Sequence, residues 1–323
     1  MATTTEWVAG ARLRTLPLAV APVVIGTGAA IGWQRHWTDR IGGLAARYSD
    51  DDSLGGFVRD GAGEQISYGS LALRAVLALI VSLALQVAVN YANDYSDGIR
   101  GTDDDRVGPF RLTGSRAAAP GQVKNAAFAA FAVASVAGLA LVALTGHWWL
   151  LLVGVACVLA AWYYTGGKKP YGYAGLGEIA VFVFFGLVAV LGTTYTQIDT
   201  VTWPAVGGAV AIGALACAVL VANNLRDIPT DTVSGKITLA VRLGDDGSRR
   251  FYLFLLAVPF LATLAITAAQ PWAALALLSV PLAVAPARVV SDDAKGLALL
   301  PVLAETGRLA LIFALLLGVG LAI

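Results

Sequence analysis

The chain has 323 residues, of which 58% are hydrophobic and 13% charged, with a formal net charge of +1 and a mean hydropathy of +0.73. That composition excludes an ordinary soluble domain, and the near-neutral balance carries no electrostatic footprint for nucleic acid. Cys157 and Cys217 lie far apart in apolar runs with no CxxC pair, so they read as small core residues rather than a zinc site or redox pair.

A hydrocarbon core about 30 Å thick needs about 20 apolar residues of helix. Runs of that length occur at roughly 16–33, 71–92, 122–145, 147–165, 175–195, 204–222, 251–269, 272–290 and 302–322. The expected fold class is an all-α polytopic membrane protein with nine transmembrane helices, forming one transmembrane domain over 1–323. The first run reads as an uncleaved helix, since no A-x-A site follows it. With alternate connections assigned to opposite sides, the 22 Lys and Arg fall on the side of the N-terminus, except Arg35, Arg40, Arg47, Arg59 and Arg74. The positive-inside rule makes that side cytoplasmic and leaves the C-terminus outside, in a multi-pass cell-membrane protein. The exceptions lie in or beside a long outer loop at about 34–70, where the Asp50–Asp52 triplet reads as a solvated loop tip.

The second run ends in "NYANDYSDGIRGTDDD". Asn90, Asn93, Asp94 and Asp97 recur at helical spacing, so one face of the helix would carry them. Gly98 and Gly101 are expected to turn the chain so that Asp103 to Asp105 fold back toward that face. Between them and the third run lie Arg106, Arg111 and Arg116.

The fourth run leads into "YYTGGKKPYGYAGLGE", with Lys168 and Lys169 on the same side. Tyr163 and Tyr164 read either as interfacial anchors or as aromatics beside a cation. The sixth run ends in "NNLRDIPTDTVSGKITLAVRLG". Asn223, Asn224 and Asp227 lie one turn apart. Pro229 is expected to end that helix at Ile228, leaving Asp231 on the following loop, and Gly235 frees the backbone before Lys236. Residues 88–97, "AVNYANDYSD", and 218–227, "AVLVANNLRD", match at five of ten positions. They close spans four helices apart, which suggests two related four-helix halves plus a ninth helix.

Ionised side chains in spanning segments are rare and usually functional, and two similarly spaced clusters at span ends on the same side favour a functional reading over hydrated helix ends. Hard oxygen ligands without His or Cys point to Mg²⁺, which is held by few carboxylates and completed by substrate phosphates. Arg106, Arg111, Arg116, Lys168, Lys169, Lys236 and Arg242 could take the remaining phosphate oxygens. Mg²⁺ and these cations would stabilise a departing diphosphate, and an apolar helical cavity suits an allylic, lipid-soluble donor. A divalent-cation transporter is the competing class. The midplanes of the spans are nearly devoid of charge and the carboxylates gather on one side, which favours an enzyme over a conduit.

Taken together, these stretches resemble the UbiA-type membrane prenyltransferases. "NDYSDGIRGTD" is similar to the family's first Asp-rich motif, with a longer final spacing from Asp97 to Asp103. That spacing, "GPFRLTGS", "RLRTLPLAVAPVVIGTG", "YYTGGKKPYGYAGLGE" and "NNLRDIPTDTVSGKITLAVRLG" resemble the branch that prenylates 1,4-dihydroxy-2-naphthoate in menaquinone synthesis. The resemblance covers nearly the whole chain except residues 34–70. It implies a polyprenyl diphosphate that ionises at a Mg²⁺ site within the lipid bilayer. The naphthoate ring then attacks at its carboxyl-bearing carbon, and loss of CO₂ and a proton gives demethylmenaquinone. It further implies that Asn93, Asp94, Asp97 and Asp103 form the first metal motif and that Asn224, Asp227 and Asp231 form the second. Asp94, Asp97, Asp227 and Asp231 would be catalytic, while Lys168, Lys169, Arg106, Arg111 and Lys236 would meet the diphosphate or acceptor. Within the superfamily, hydroxybenzoate, homogentisate, a porphyrin or a sugar phosphate are alternative acceptors.

Overall fold

The computed structural model describes residues 2–47, 66–101 and 110–323, with side chains up to His36 in the first segment. Among them the chain is helical: α1 Thr4–Gly10, α2 Pro17–Arg47, α3 Tyr68–Arg100, α4 Pro120–Thr145 and α5 Leu150–Tyr163. Then come α6 Gly177–Ile198, α7 Trp203–Val233, α8 Leu239–Thr267, α9 Pro271–Ser291 and α10 Leu300–Ala322. Eight of the described helices are long and apolar enough to cross a membrane. The shorter α5 makes a ninth apolar segment. The exposed side chains of Val136, Leu152, Leu261 and Leu278 form the apolar exterior of a multi-pass membrane protein.

The core is centred on α7. Its most apolar window is 78% buried, against 17% for α3, so α7 is the hub and α3 lies at the periphery. Small side chains make this possible. Ala209, Ala214, Ala218 and Ala222 are buried on α7 against α2, α8 and α10. With little hydrophobic drive between helices in lipid, close van der Waals approach does the work. At the α2–α10 crossing a Cβ on Gly28 would lie 2.2 Å from the Gly318 carbonyl oxygen, so only glycine fits.

Two features place the chain ends. Tyr91, near the end of α3, donates to the Trp7 carbonyl at 2.9 Å, which puts α1 on the side where α3 and α7 end. At the opposite end Arg35 donates to Ala322 O, and His147 meets Asp199 at 2.7 Å.

Several element boundaries differ from the sequence expectation. The loop expected at about 34–70 begins later, because α2 continues as helix to Arg47. Asp50–Asp52 fall outside the described residues. The span expected at 251–269 belongs to a helix that starts at Leu239, with a kink where Gly244 adopts φ 70°. The span expected at 175–195 contains a wide π-turn at Phe182–Val188.

The expected stop before Pro229 does not occur, since α7 runs through it to Val233. Proline removes one amide donor, and the carbonyls near the end find other partners. Thr230 Oγ1 donates to Asp227 O at 3.0 Å and Thr232 Oγ1 to Ile228 O at 2.7 Å. Asp227 and Asp231 are therefore i,i+4 neighbours on one helix.

Candidate active site

Three connections converge where α3 and α7 end. The first follows α3, the second joins α5 to α6, and the third joins α7 to α8. Arg100, in the last turn of α3, donates to the carbonyls of Thr165 and Gly167 in the second connection. Tyr173, also in that connection, accepts at its carbonyl from Ile237 N at 3.0 Å, which ties in the third. Gly101 and Gly235 close the two helices in left-handed conformations, at φ 73° each.

Gly98 does not turn the chain, because α3 continues to Arg100. It makes room instead. A Cβ there would lie 2.3 Å from Thr113 Cγ2, so glycine lets the first connection close onto the helix.

The α3 motif divides between two directions. At about 100° per residue, Asn93 and Asp94 cannot point the same way. Asn90 faces the N-terminal segment and donates to Ala11 O at 2.9 Å and Thr15 Oγ1 at 3.0 Å. Asp94 is wholly buried and accepts from the backbone amides of Leu112, at 2.7 Å, and Thr113, at 2.9 Å. Its carboxylate anchors the first connection. Asn93 and Asp97 face the second connection, where Asn93 Oδ1 accepts from Thr165 Oγ1 at 2.8 Å. Asp97 Oδ1 accepts from the Tyr173 hydroxyl at 2.6 Å, and its Oδ2 lies 3.8 Å from Arg111 Nη2. These four side chains therefore reach different partners: Asn90 and Asp94 bond the N-terminal segment and the first connection, and Asn93 and Asp97 bond the second.

The α7 motif divides at the same places. Asn224 Nδ2 donates to the buried Glu178 Oε1 at 3.0 Å and packs back against α6. Asp227 lies beside Arg226, with Nε–Oδ1 at 2.7 Å and Nη2–Oδ2 at 2.8 Å, and Nη2 also donates to Asn223 Oδ1 at 2.9 Å. Asp231 Oδ1 is 3.3 Å from Lys236 Nζ.

Tyr173 joins the two motifs. Its hydroxyl is on Asp97, and the charged ends of Arg100 and Lys236 each lie 5.4 Å from its ring centroid. Lys236 in turn reaches Asp231, so one aromatic ring links Asp97 on α3 to Asp231 on α7. Tyr173 and Arg226 carry no signal that separates them, in sequence, from neighbouring aromatic and basic residues. Only the folded connections reveal them.

Lys168 and Lys169 are exposed on the second connection. Asp103 and Arg106 lie outside the described residues. Tyr163 is half exposed. Tyr164 carries structure: its carbonyl accepts from Gly172 N at 3.0 Å and its ring packs edge-on against Tyr171. Burial pushes the Tyr171 phenol up to about 12, and its hydroxyl donates to Ala160 O at 2.7 Å.

The donor atoms are carboxylate and amide oxygens. Among the described residues no group of three or more His, Cys, Asp or Glu is close enough to hold a metal by itself. Such a set suits a hard cation that takes few protein ligands and completes its shell with phosphate and water.

Comparison with known proteins agrees with this architecture. A model of the UbiA prenyltransferase family matches residues 62–298. The chain is 51% identical to the 1,4-dihydroxy-2-naphthoate octaprenyltransferase of Mycobacterium tuberculosis, over 98% of this chain and 96% of that protein. It is 36% identical to the protein of the same name from Escherichia coli, over 98% and 95% of the two chains. Among solved structures, a UbiA homolog from Archaeoglobus fulgidus bound to GPP and Mg²⁺ superposes with a TM-score of 0.62 at 13% identity, covering 98% and 99% of the chains. A UbiA homolog from Aeropyrum pernix, without ligand, gives 0.61 at 16% identity over 94% and 96%. At those identities the structures speak to the fold, and the sequence matches speak to kinship: the chain belongs to the UbiA prenyltransferase family.

Proposed function

We propose that this protein transfers a polyprenyl group from polyprenyl diphosphate to 1,4-dihydroxy-2-naphthoate, releasing diphosphate and CO₂. The observation that carries the reading is the meeting of two Asp-bearing helix ends around Tyr173. It occurs in a chain that is 51% identical, over nearly its full length, to a naphthoate octaprenyltransferase.

Asn93, Asp97, Asp227 and Asp231 are the groups that would hold Mg²⁺, with Asp103 a further candidate. Bound Mg²⁺ would supply positive charge against the leaving diphosphate. A solved structure of the same fold, a UbiA homolog bound to GPP and Mg²⁺, supports a divalent ion beside the diphosphate. Tyr173 fixes the Asp97 carboxylate by donating to Oδ1, and Arg111 and Lys236 stand at the same end to meet phosphate oxygens. Asp94 and Asn224 hold the connections from which those groups project. The apolar spans offer the prenyl chain a water-free path, which protects an allylic cation from hydrolysis.

In the transfer, the allylic C–O bond breaks with its electron pair going to diphosphate. The carboxyl-bearing ring carbon forms the new C–C bond. The carboxyl group then leaves as CO₂ and a proton, and its C–C electrons restore the aromatic ring. The product is the hydroquinone form of demethylmenaquinone. The excess of Lys and Arg at the motif end supports a cytoplasmic active site in the plasma membrane, with the C-terminus outside.

The test is mass spectrometry of products formed by the purified protein from 1,4-dihydroxy-2-naphthoate and polyprenyl diphosphates of several lengths. The expected product is a prenylated, decarboxylated naphthalenediol that forms with Mg²⁺ and not in excess EDTA. Turnover of hydroxybenzoate or homogentisate with no product from the naphthoate would overturn the acceptor assignment.

A further inference from the structure

Arg226 has no role in the reading above, yet its environment is unusual. The side chains of Arg226 and Asp227 are 1% and 4% exposed, and the guanidinium grips both carboxylate oxygens of its neighbour. Its remaining nitrogen, Nη1, is buried and makes no hydrogen bond among the described residues. A buried guanidinium with an unused donor is costly unless an acceptor arrives. Asp227 is also a candidate ligand for Mg²⁺. A doubly charged ion that takes the Asp227 oxygens must come within a few ångströms of Arg226, where the two cations repel in a medium that screens poorly.

We propose that Arg226 is an exchangeable counter-ion. It neutralises Asp227 while no divalent ion is bound, and when Mg²⁺ enters it turns its fork to a diphosphate oxygen. Its binding geometry suits that transfer, since a guanidinium matches phosphate as well as carboxylate. The pairing is echoed at Asp231 with Lys236 and at Asp97 with Arg111. Each described acidic residue that faces the site therefore has a cation of the chain beside it.

The consequence is thermodynamic. Mg²⁺ alone must displace or crowd Arg226, and diphosphate alone must draw Arg226 away from Asp227. Bound together, the two ligands leave no charge uncompensated. Each therefore strengthens the other by the same factor. This inference rests on the reading of the site as a diphosphate site and assigns Arg226 to the donor rather than to the acceptor.

The experiment uses the full-length protein in lipid nanodiscs. Calorimetry gives the affinity for Mg²⁺ alone, and retention of radiolabelled inorganic pyrophosphate gives its affinity in Mg²⁺ and in EDTA. In the wild type, pyrophosphate is expected to bind at least about tenfold tighter with Mg²⁺, within the usual range of coupling between sites. In Arg226→Gln, Mg²⁺ alone should bind several-fold tighter, because Asp227 loses its competitor, while pyrophosphate in Mg²⁺ should bind about tenfold weaker. Arg226→Lys, which keeps the charge but not the fork, should show both changes to a smaller degree and decides the question if the glutamine variant does not fold. A permanent structural clamp gives the opposite sign: both variants would bind Mg²⁺ alone more weakly, and that result overturns the proposal. Absence of pyrophosphate binding in the wild type under both conditions would instead overturn the diphosphate reading of the site itself.

Discussion

The ends of α3 and α7 carry related sequences and end at the same side of the membrane, yet they are built into the protein differently. The end of α3 is bonded to the connections around it, with the Leu112 and Thr113 amides donating to Asp94, Thr165 to Asn93 and Tyr173 to Asp97. The end of α7 is bonded mostly within its own segment, with Arg226 on Asp227 and Lys236 on Asp231, and reaches other elements through Asn224 on Glu178 and Ile237 N on Tyr173 O. The aligned positions Asp94 and Asn224 both bond back into the fold, whereas Asp97 reaches Tyr173 at the convergence point and the aligned Asp227 pairs with Arg226 on its own helix. Aspartate count in the motif is therefore a poor guide to role. Position on the helix decides, because successive residues differ by about 100° in direction.

The comparison breaks most visibly at Asp97 and Asp227. Asp97→Asn and Asp227→Asn keep size and most hydrogen bonding while removing charge. Each is expected to lower the transfer rate on the order of 100-fold or more, as loss of a preorganised electrostatic group does. Thermal unfolding in detergent should stay near that of the wild type for Asp97→Asn and fall for Asp227→Asn, which leaves the buried Arg226 guanidinium without its counter-charge. A rate within a few-fold of wild type in either variant would remove that residue from the machinery.

Asp94→Ala and Asn224→Ala should do the reverse. Two charge-assisted bonds to buried amides are lost at Asp94, so about 3 kcal/mol of stability should go with them. Asn224→Ala leaves Glu178 without its amide donor and should cost about 1–2 kcal/mol. Denaturant or thermal melts measure both. The rate per folded molecule should fall far less than in the Asp97 and Asp227 variants, and an inactive protein of unchanged stability would place Asp94 in the site instead.

Smaller effects are expected where Tyr173 bridges the two ends. Lys236→Ala should reduce kcat/KM for the prenyl donor about tenfold and leave KM for the aromatic acceptor nearly unchanged, because it removes one cation facing phosphate. Tyr173→Phe keeps the ring between Arg100 and Lys236 and removes only the donor to Asp97. A loss of about fivefold, equivalent to one hydrogen bond, is expected in steady-state kinetics. If Lys236 faces lipid headgroups only, all of these parameters stay at wild-type values.

The smallest effect is expected from the far side. Replacing residues 48–65 with a short Gly/Ser linker should leave transfer within about twofold of wild type, since loop length changes stability slowly. The flanking contacts, Gln34 to Ile66 O at 2.6 Å and Arg35 to Ala322 O, lie opposite the motif end and are retained. A folded but inactive product would show that this segment reaches the site.

The architecture was legible because bilayer thickness imposes a run length that composition alone reveals, and the apolar runs correspond to helices α2 to α10. The candidate site was legible as a neighbourhood, since carboxylates at the ends of apolar runs stand out against Ala, Leu and Val. Roles within it were less so. Asp94 and Asp97 are indistinguishable by type, and they separate only once the first connection folds back over Gly98. Pro229 reads as a stop by local rules, yet α7 continues one turn past it to Val233. Glu178 and Asn224 lie far apart in sequence and meet only because α6 packs against α7.

The claim that the two helix ends form one site is tested most directly by a double-mutant cycle on Asp97→Asn and Asp227→Asn, read as the Mg²⁺-dependent rate of naphthoate prenylation in purified, folded protein. Groups that act as a unit on one diphosphate give strongly non-additive losses. The double variant is therefore predicted to be little worse than either single variant. Losses that multiply, so that the double variant falls by the product of the two single effects, would show that α3 and α7 act independently and would contradict the account.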